Sequence, residues 1–187
     1  MRVIAGTARG RRLKSLDGSD TRPTTDMVKE AIFNIIQFEI EQRRFLDLFA
    51  GTGQMGIEAL SRGAKYVTFV EQSRLAAGCV RDNVKLTGFE NKCEIMQTEA
   101  LSFLNRCGKY DVIFLDPPYK TELLEKALEQ IAEFDILADD GIIVCEYPAN
   151  KDISKIPGSY MLKKSYKYGK IKVSVITKHE IEGAENL

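Results

Sequence analysis

Between residues 45 and 146 of this 187-residue chain, short apolar runs alternate with segments of helical period. The apolar runs are Phe45–Phe49, Tyr66–Val70, Cys93–Gln97, Tyr110–Leu115 and Gly141–Glu146. Helical segments separate them: Met55–Arg62 closed by Gly63, Ser73–Leu86 with Gly88 as C-cap candidate, a stretch around Ala100–Arg106, and amphipathic Glu122–Phe134. Parallel strands need crossover connections, and helices supply them, so strict strand–helix alternation argues for a parallel sheet covered on both faces. The unbroken apolar run Tyr110–Leu115 fits a strand buried on both sides.

The two ends depart from this pattern. Tyr160–Tyr168 and Lys170–Lys178 flank Gly169 and read as a hairpin added to the sheet edge. At the front, Val3–Ala5 and Arg11–Lys14 around Gly10 suggest a small ribbon. Thr24, Thr25 and Asp26 offer N-caps for a helix whose apolar face is Val28, Ile32, Ile35 and Ile36.

Composition excludes several chemistries. The only histidine is His179, and Cys79, Cys93, Cys107 and Cys145 form no C-x-x-C pair, so a metal site and a His-dependent triad are not expected. Scattered cysteines suit a reducing, cytoplasmic setting. The start has no apolar signal core, and no run is long enough to span a membrane. Formal net charge is zero, but it is unevenly placed. Residues 1–16 carry five basic side chains and no acid, residues 161–178 carry six and no acid, and residues 17–160 carry 16 basic and 24 acidic ones. Phosphate binding follows local clusters rather than net charge; each segment read alone is equally compatible with a solvated face.

Three motifs carry chemistry. The first, Asp47-Leu48-Phe49-Ala50-Gly51-Thr52-Gly53-Gln54-Met55-Gly56, lies where a strand turns into a helix. Its glycines satisfy G-x-G-x-x-G and let backbone approach a ligand, which suits NAD and S-adenosylmethionine alike. The second is Glu71, at the end of the next strand and 20 residues after Gly51, where an acid can accept ribose hydroxyls. The third is Asp116-Pro117-Pro118-Tyr119, directly after the buried strand. Two prolines remove two N–H donors and stiffen the turn, so its carbonyls are expected to stand without local partners. An exocyclic NH₂ donates two hydrogens, and the Asp116 carboxylate with a proline carbonyl offers two acceptors for them. Tyr119 offers a ring for a base to stack on. A hydride transferase has no evident use for this turn, which sets the nicotinamide reading aside.

Asp-x-Phe-x-Gly-x-Gly together with Asp116–Tyr119 resembles the class I amino-methyltransferases, which act on exocyclic amines or a glutamine amide. The run Arg9-Gly10-Arg11-Arg12-Leu13, the run Arg22-Pro23-Thr24-Thr25-Asp26-Met27-Val28-Lys29-Glu30-Ala31-Ile32-Phe33-Asn34, and Leu60-Ser61-Arg62-Gly63-Ala64 narrow this. With them the chain resembles the RsmD family over about residues 1–178. The resemblance implies methylation of guanine N2 in small-subunit ribosomal RNA of bacteria. It implies a class I α/β three-layer sandwich with a mostly parallel seven-stranded sheet and a C-terminal antiparallel hairpin. One domain would comprise an RNA-facing ribbon and helix (1–42), a catalytic core (43–178) and a variable tail (179–187). S-adenosylmethionine would lie against Asp47, Phe49, Ala50, Gly51, Gly53, Glu71, Glu99, Ala100 and Asp116, although the family tends to have Asp where this chain has Glu99. Asp116, Pro117 and Tyr119 would act on the amine. Arg9, Arg11, Arg12, Arg22, Pro23, Thr24, Pro118, Tyr119, Lys167 and Lys170 would meet RNA, whether naked or in an assembling particle, and the protein would work as a monomer without a metal.

The reaction implied is in-line displacement, achieved largely by positioning, on a base taken out of its stack. Two rival readings remain: methylation of another amine (DNA adenine or a protein glutamine), and a non-catalytic nucleic-acid-binding protein on the same fold. Local chemistry does not separate guanine from adenine; the N-terminal resemblance does.

Overall fold

The computed structural model describes residues 1–16, 26–119 and 121–179. Arg22, Pro23, Thr24, the Thr25 cap candidate and residues 180–187 of the tail lie outside the described residues. Helix α1 spans Asp26–Ile35. The alternating region then runs β1 (Arg44–Asp47), α2 (Gln54–Ser61), β2 (Tyr66–Val70), α3 (Arg74–Thr87), β3 (Cys93–Met96), α4 (Ala100–Leu104), β4 (Tyr110–Leu115), α5 (Leu123–Glu133) and β5 (Leu137–Pro148). The hairpin β6 (Tyr160–Tyr168) and β7 (Ile171–Lys178) closes the chain.

The seven strands order as β3-β2-β1-β4-β5-β7-β6. The β3 to β5 ladders are parallel, and β7 pairs antiparallel with both β5 and β6. Connectivity reverses between β1 and β4, and such a switch point opens a ligand crevice at the carboxyl ends of the strands.

Alternation along each strand builds two cores. Phe45, Val112, Phe114, Ile142 and Val144 face α1, α2, α3 and the N-terminal segment. Leu46, Ile113, Leu115, Ile143 and Cys145 face α4 and α5. Caps formed as the residues suggest: the Ser73 hydroxyl accepts from Ala76 N–H, and Gly88 ends α3 in the left-handed conformation (φ 77°).

Two local expectations change. Strand β5 begins at Leu137 rather than Gly141, because Leu137 is buried against Tyr110 before the register shifts across exposed Asp139 and Asp140. Those acids before a glycine read as a turn in sequence. The N-terminal ribbon has a single bridge, Arg2 to Arg12, with Val3 N–H donating to Arg11 O and Gly10 N–H to Val3 O. Pairing stops there because the next two amides go elsewhere: Ile4 and Ala5 N–H both donate to the Glu58 carboxylate (2.8 and 3.0 Å).

That carboxylate is fully buried and also meets Arg62 (2.8 Å) and the buried Lys29 ammonium (3.8 Å). Lys29 in turn donates to Arg2 O (2.6 Å), and burial holds its pKa below the usual lysine value despite Glu58. At Gly6, with φ 79°, any Cβ would lie 1.7 Å from Ser61 O, so only glycine lets the ribbon lie this close to α2.

Candidate active site

The turn after β1 is shaped by its glycines. Gly51 (φ 54°) and Gly53 (φ 80°) are both left-handed, and Gly53 opens α2. A Cβ at Gly56 would meet the Phe69 ring at 2.3 Å, so the third glycine sets the close packing of α2 on β2. A Cβ at Gly51 would meet nothing within 4 Å, so this side of the turn is open.

Asp47 lies beneath this turn, 1% exposed, and accepts from Gly56 N–H (3.0 Å). Burial pushes its pKa up to about 7, against the pull of that N–H and with a further push from Glu71. Glu71 braces the same turn: one carboxylate oxygen accepts from Gly51 N–H (2.9 Å), the other from Ser73 N–H (2.7 Å). Each oxygen keeps lone-pair capacity for a ligand hydroxyl. Ala50 N–H donates to Val70 O, locking the turn to the end of β2.

Asp116 follows β4 directly. Burial raises its pKa well above the carboxylate range, and the nearby Glu146 and Asp47 carboxylates raise it further. Glu146 is 2% exposed, and it follows Cys145, which pairs with Leu115; Asp116, just past the end of β4, and Glu146, within β5, therefore stand at one level on adjacent strands. Glu71, Asp47, Asp116 and Glu146 thus form an acidic arc across the carboxyl ends of β2, β1 and β4 and the neighbouring stretch of β5. Mutual repulsion of this kind is relieved by a cation or by hydrogen-bond donors placed among the acids. The sulfonium and ammonium of S-adenosylmethionine, and an aromatic amine, have that character, so the residues present fit that group.

In the turn itself, Pro118 O accepts from the Thr121 hydroxyl (2.7 Å) and Tyr119 O from Lys151 Nζ (2.8 Å). The expectation of carbonyls without local partners therefore fails at Pro118, whereas the partner of the Tyr119 carbonyl is distant in sequence. Among the described residues, no hydrogen bond engages the Pro117 carbonyl. Tyr119 is 41% exposed, and its hydroxyl donates to Glu146 Oε1 (3.3 Å).

The structure brings Asp47, Gly51, Gly53, Glu71 and Asp116 to one edge of the sheet. Phe49 and Ala50 belong to the same turn: Phe49 packs on the α4–α5 core, and Ala50 is buried. Glu99 is exposed at the start of α4, within 3.5 Å of the Ser102 hydroxyl, with Ala100 beside it. Arg9, Arg11 and Arg12 are exposed on the ribbon and make no ion pair among the described residues. Lys167 and Lys170 flank the hairpin turn, and Ala149 N–H donates to Lys170 O, drawing that turn toward Tyr119.

Sequence reasoning missed Glu146 and Asn83. Glu146 carried the same signal as Glu71, an acid closing an apolar strand run. Asn83 carried none: buried on α3, it donates to Thr52 O (3.0 Å) and Lys14 O (3.1 Å) and accepts from Lys14 N–H (2.7 Å), joining ribbon to glycine turn.

A family model described as "Conserved hypothetical protein 95" matches residues 1–177. The chain is 38% identical over 157 residues to ribosomal RNA small subunit methyltransferase D of Haemophilus influenzae, covering 82% of this chain and 81% of that protein. The chain belongs to the RsmD family. Another relative, YlbH of Bacillus subtilis, provisionally named an rRNA methyltransferase, is 39% identical over 182 residues, covering 95% of this chain and 99% of that one. The RsmD architecture extends to a solved structure from Escherichia coli, yhhF, provisionally named a methyltransferase. It superposes with a TM-score of 0.86 at 32% identity, covering 95% of this chain and 97% of that one. The seven-stranded class I methyltransferase fold expected from the sequence is the fold present. No helix among the described residues is long and apolar enough to cross a membrane.

Proposed function

We propose that this protein uses S-adenosylmethionine to methylate the exocyclic N2 amine of a guanine in small-subunit ribosomal RNA. The observation that carries the reading is the acidic arc, with Asp116-Pro117-Pro118-Tyr119 standing beside the Gly51–Gly53 turn at the switch point of the sheet. S-adenosylmethionine, when bound, supplies a methyl group on a cationic sulfur. Gly51, Gly53 and Glu71 would hold its amino-acid and ribose parts, and Asp47 and Asp116 would balance its positive charge.

Asp116 and the Pro117 carbonyl would accept the two amine hydrogens. That aims the nitrogen lone pair away from the acceptors and favours the charge developing on nitrogen as the new bond forms. Tyr119, held by Glu146, would stack on the base after it leaves its helix. Arg9, Arg11, Arg12 and the hairpin lysines would hold phosphates, setting position rather than sequence. The segment holding Arg22, Pro23 and Thr24 would complete the RNA-facing side. The name of the Haemophilus relative supports the substrate class; guanine N2 rests on the N-terminal motif.

The test is methyl transfer from labelled S-adenosylmethionine to small-subunit particles or RNA lacking the modification, followed by nucleoside analysis. Label in N2-methylguanosine is the expected result, and Asp116→Ala should lower the rate by about 10²-fold or more. Label in methyladenosine, or only in protein, would refute the guanine assignment.

A further inference from the structure

A second concavity adjoins the turn that carries Tyr119. It encloses about 570 Å³ and is lined by Tyr119, Pro148, Asn150, Lys167, Lys170 and Ile171 among others. A smaller hollow beside it, lined by Pro117, Glu125, Glu146 and Lys151 among others, shares Tyr119 and Pro148 with it. Tyr119 and Pro148 therefore border both spaces, and Tyr119 closes the Asp116–Tyr119 turn where the target base is proposed to sit.

The charges of the hairpin are not equivalent. Lys172 is paired with Asp152, and Lys178 with Asp135 and Asp139. Lys164 lies over the Tyr166 ring. Lys167 and Lys170 make no ion pair among the described residues, and both line the concavity. The groove thus has cations at one end, an amide side chain from Asn150, an exposed aromatic ring and an apolar floor at Ile171. Its volume suits one nucleotide, and its charge suits one or two phosphates.

We infer that this groove is a subsite for the nucleotide next to the target in single-stranded RNA, with Lys167 and Lys170 on its phosphates and Tyr119 between it and the target base. The inference rests on the RNA reading above. Seating a neighbour on the far side of Tyr119 would keep the strand splayed while the target base occupies the acidic end. It would also make productive binding depend on unpaired RNA around the target, since a paired neighbour could not enter.

The test compares the wild type with Lys167→Ala/Lys170→Ala and with Lys163→Ala/Lys164→Ala, which removes equal charge from β6 outside the groove. Methyl transfer to small-subunit RNA lacking the modification is measured across a salt series. Each lost phosphate contact to single-stranded RNA lowers the slope of log affinity against log salt by about 0.7. The groove pair should therefore lower the slope of kcat/KM by about 0.7 to 1.4, and the β6 pair by less. In parallel, RNA carrying 4-thiouridine beside the mapped methylated nucleotide is irradiated with wild-type enzyme, and crosslinks are expected within residues 148–151 or 167–171. Equal slopes for both pairs, or crosslinks confined to other segments, would overturn the subsite while leaving methyl transfer intact. No methyl transfer to RNA by the wild type would instead overturn the reading on which the subsite rests.

Discussion

Replacing Asp47 with Asn removes one charge from the acidic arc while leaving an oxygen to accept the Gly56 N–H. A carboxyl that ordinarily titrates near 3.8 and in the fold titrates near 7 binds its proton more tightly when folded. Its contribution to stability is therefore full below about pH 4, falls as the pH rises toward 7, and is lost above that. At about 1.36 kcal/mol per pH unit, the loss has a ceiling of ~4 kcal/mol. The cause is burial first, with Glu71 adding to it. Urea unfolding of wild type and Asp47→Asn at pH 5 and pH 8 isolates this effect. Asn does not reproduce the carboxyl at low pH, since its NH₂ must also be buried, so the change between the two pH values is the informative quantity. Wild type should lose stability relative to Asp47→Asn by ~2 kcal/mol or more on going from pH 5 to pH 8. Saturating S-adenosylmethionine should restore more stability to wild type than to the variant at pH 8, because a cation among the acids offsets the same repulsion. A difference between the proteins that stays within ~0.5 kcal/mol across that range would refute the buried-carboxylate argument.

Glu146→Gln removes a negative charge beside Asp116 and so lowers the Asp116 pKa; the acid limb of the pH profile of kcat/KM should move to lower pH, and an unmoved limb would show that the pair is not coupled in function. Gly56→Ala forces a Cβ to within 2.3 Å of the Phe69 ring and should cost about 1–3 kcal/mol by thermal or urea unfolding. Gly51→Ala meets open space, strained only by its φ of 54°, so it should fold with a smaller loss yet weaken S-adenosylmethionine binding measured by calorimetry. Glu58→Ala strands Lys29 and releases two ribbon amides, and should destabilise the fold by about 3–5 kcal/mol while exposing residues 1–16 to limited proteolysis.

The core of the fold was readable because its signals are local. Strand–helix alternation between residues 45 and 146 needs only hydrophobic periodicity, and each ladder formed where an apolar run stood. The strand ends were less legible for a physical reason. Asp139, Asp140 and Gly141 have turn chemistry, yet buried Leu137 against Tyr110 starts β5 earlier and turns those residues into an irregular stretch of strand. The same holds for the proline turn. Its lack of N–H donors can be read from two letters, and Thr121 takes up the Pro118 carbonyl three residues away as a local turn would, but the approach of Lys151 to the Tyr119 carbonyl depends on tertiary packing.

The candidate site divides along the same line. Asp47, the glycines, Glu71 and Asp116 each close a strand or sit in a turn, so sequence position alone puts them at one sheet edge. What sequence could not give is that these acids repel one another and that Glu146 joins them, because that depends on strand order: β4 lies between β1 and β5 although β2, β3 and their helices intervene in the chain. The order places Asp47, Asp116 and Glu146 on neighbouring strands, and among the described residues the charged groups that shift Asp47 and Asp116 are carboxylates. A fold that tolerates such repulsion stores a preference for positive ligands. The N-terminal ribbon is then drawn in by the opposite device: Glu58 and Lys29 gather its amides and a carbonyl, and Asn83 ties its end to the glycine turn. Basic side chains on the ribbon surface are thereby held against the element that would bind the methyl donor, so under the proposed function RNA contact and occupancy of the acidic arc would bear on the same few residues.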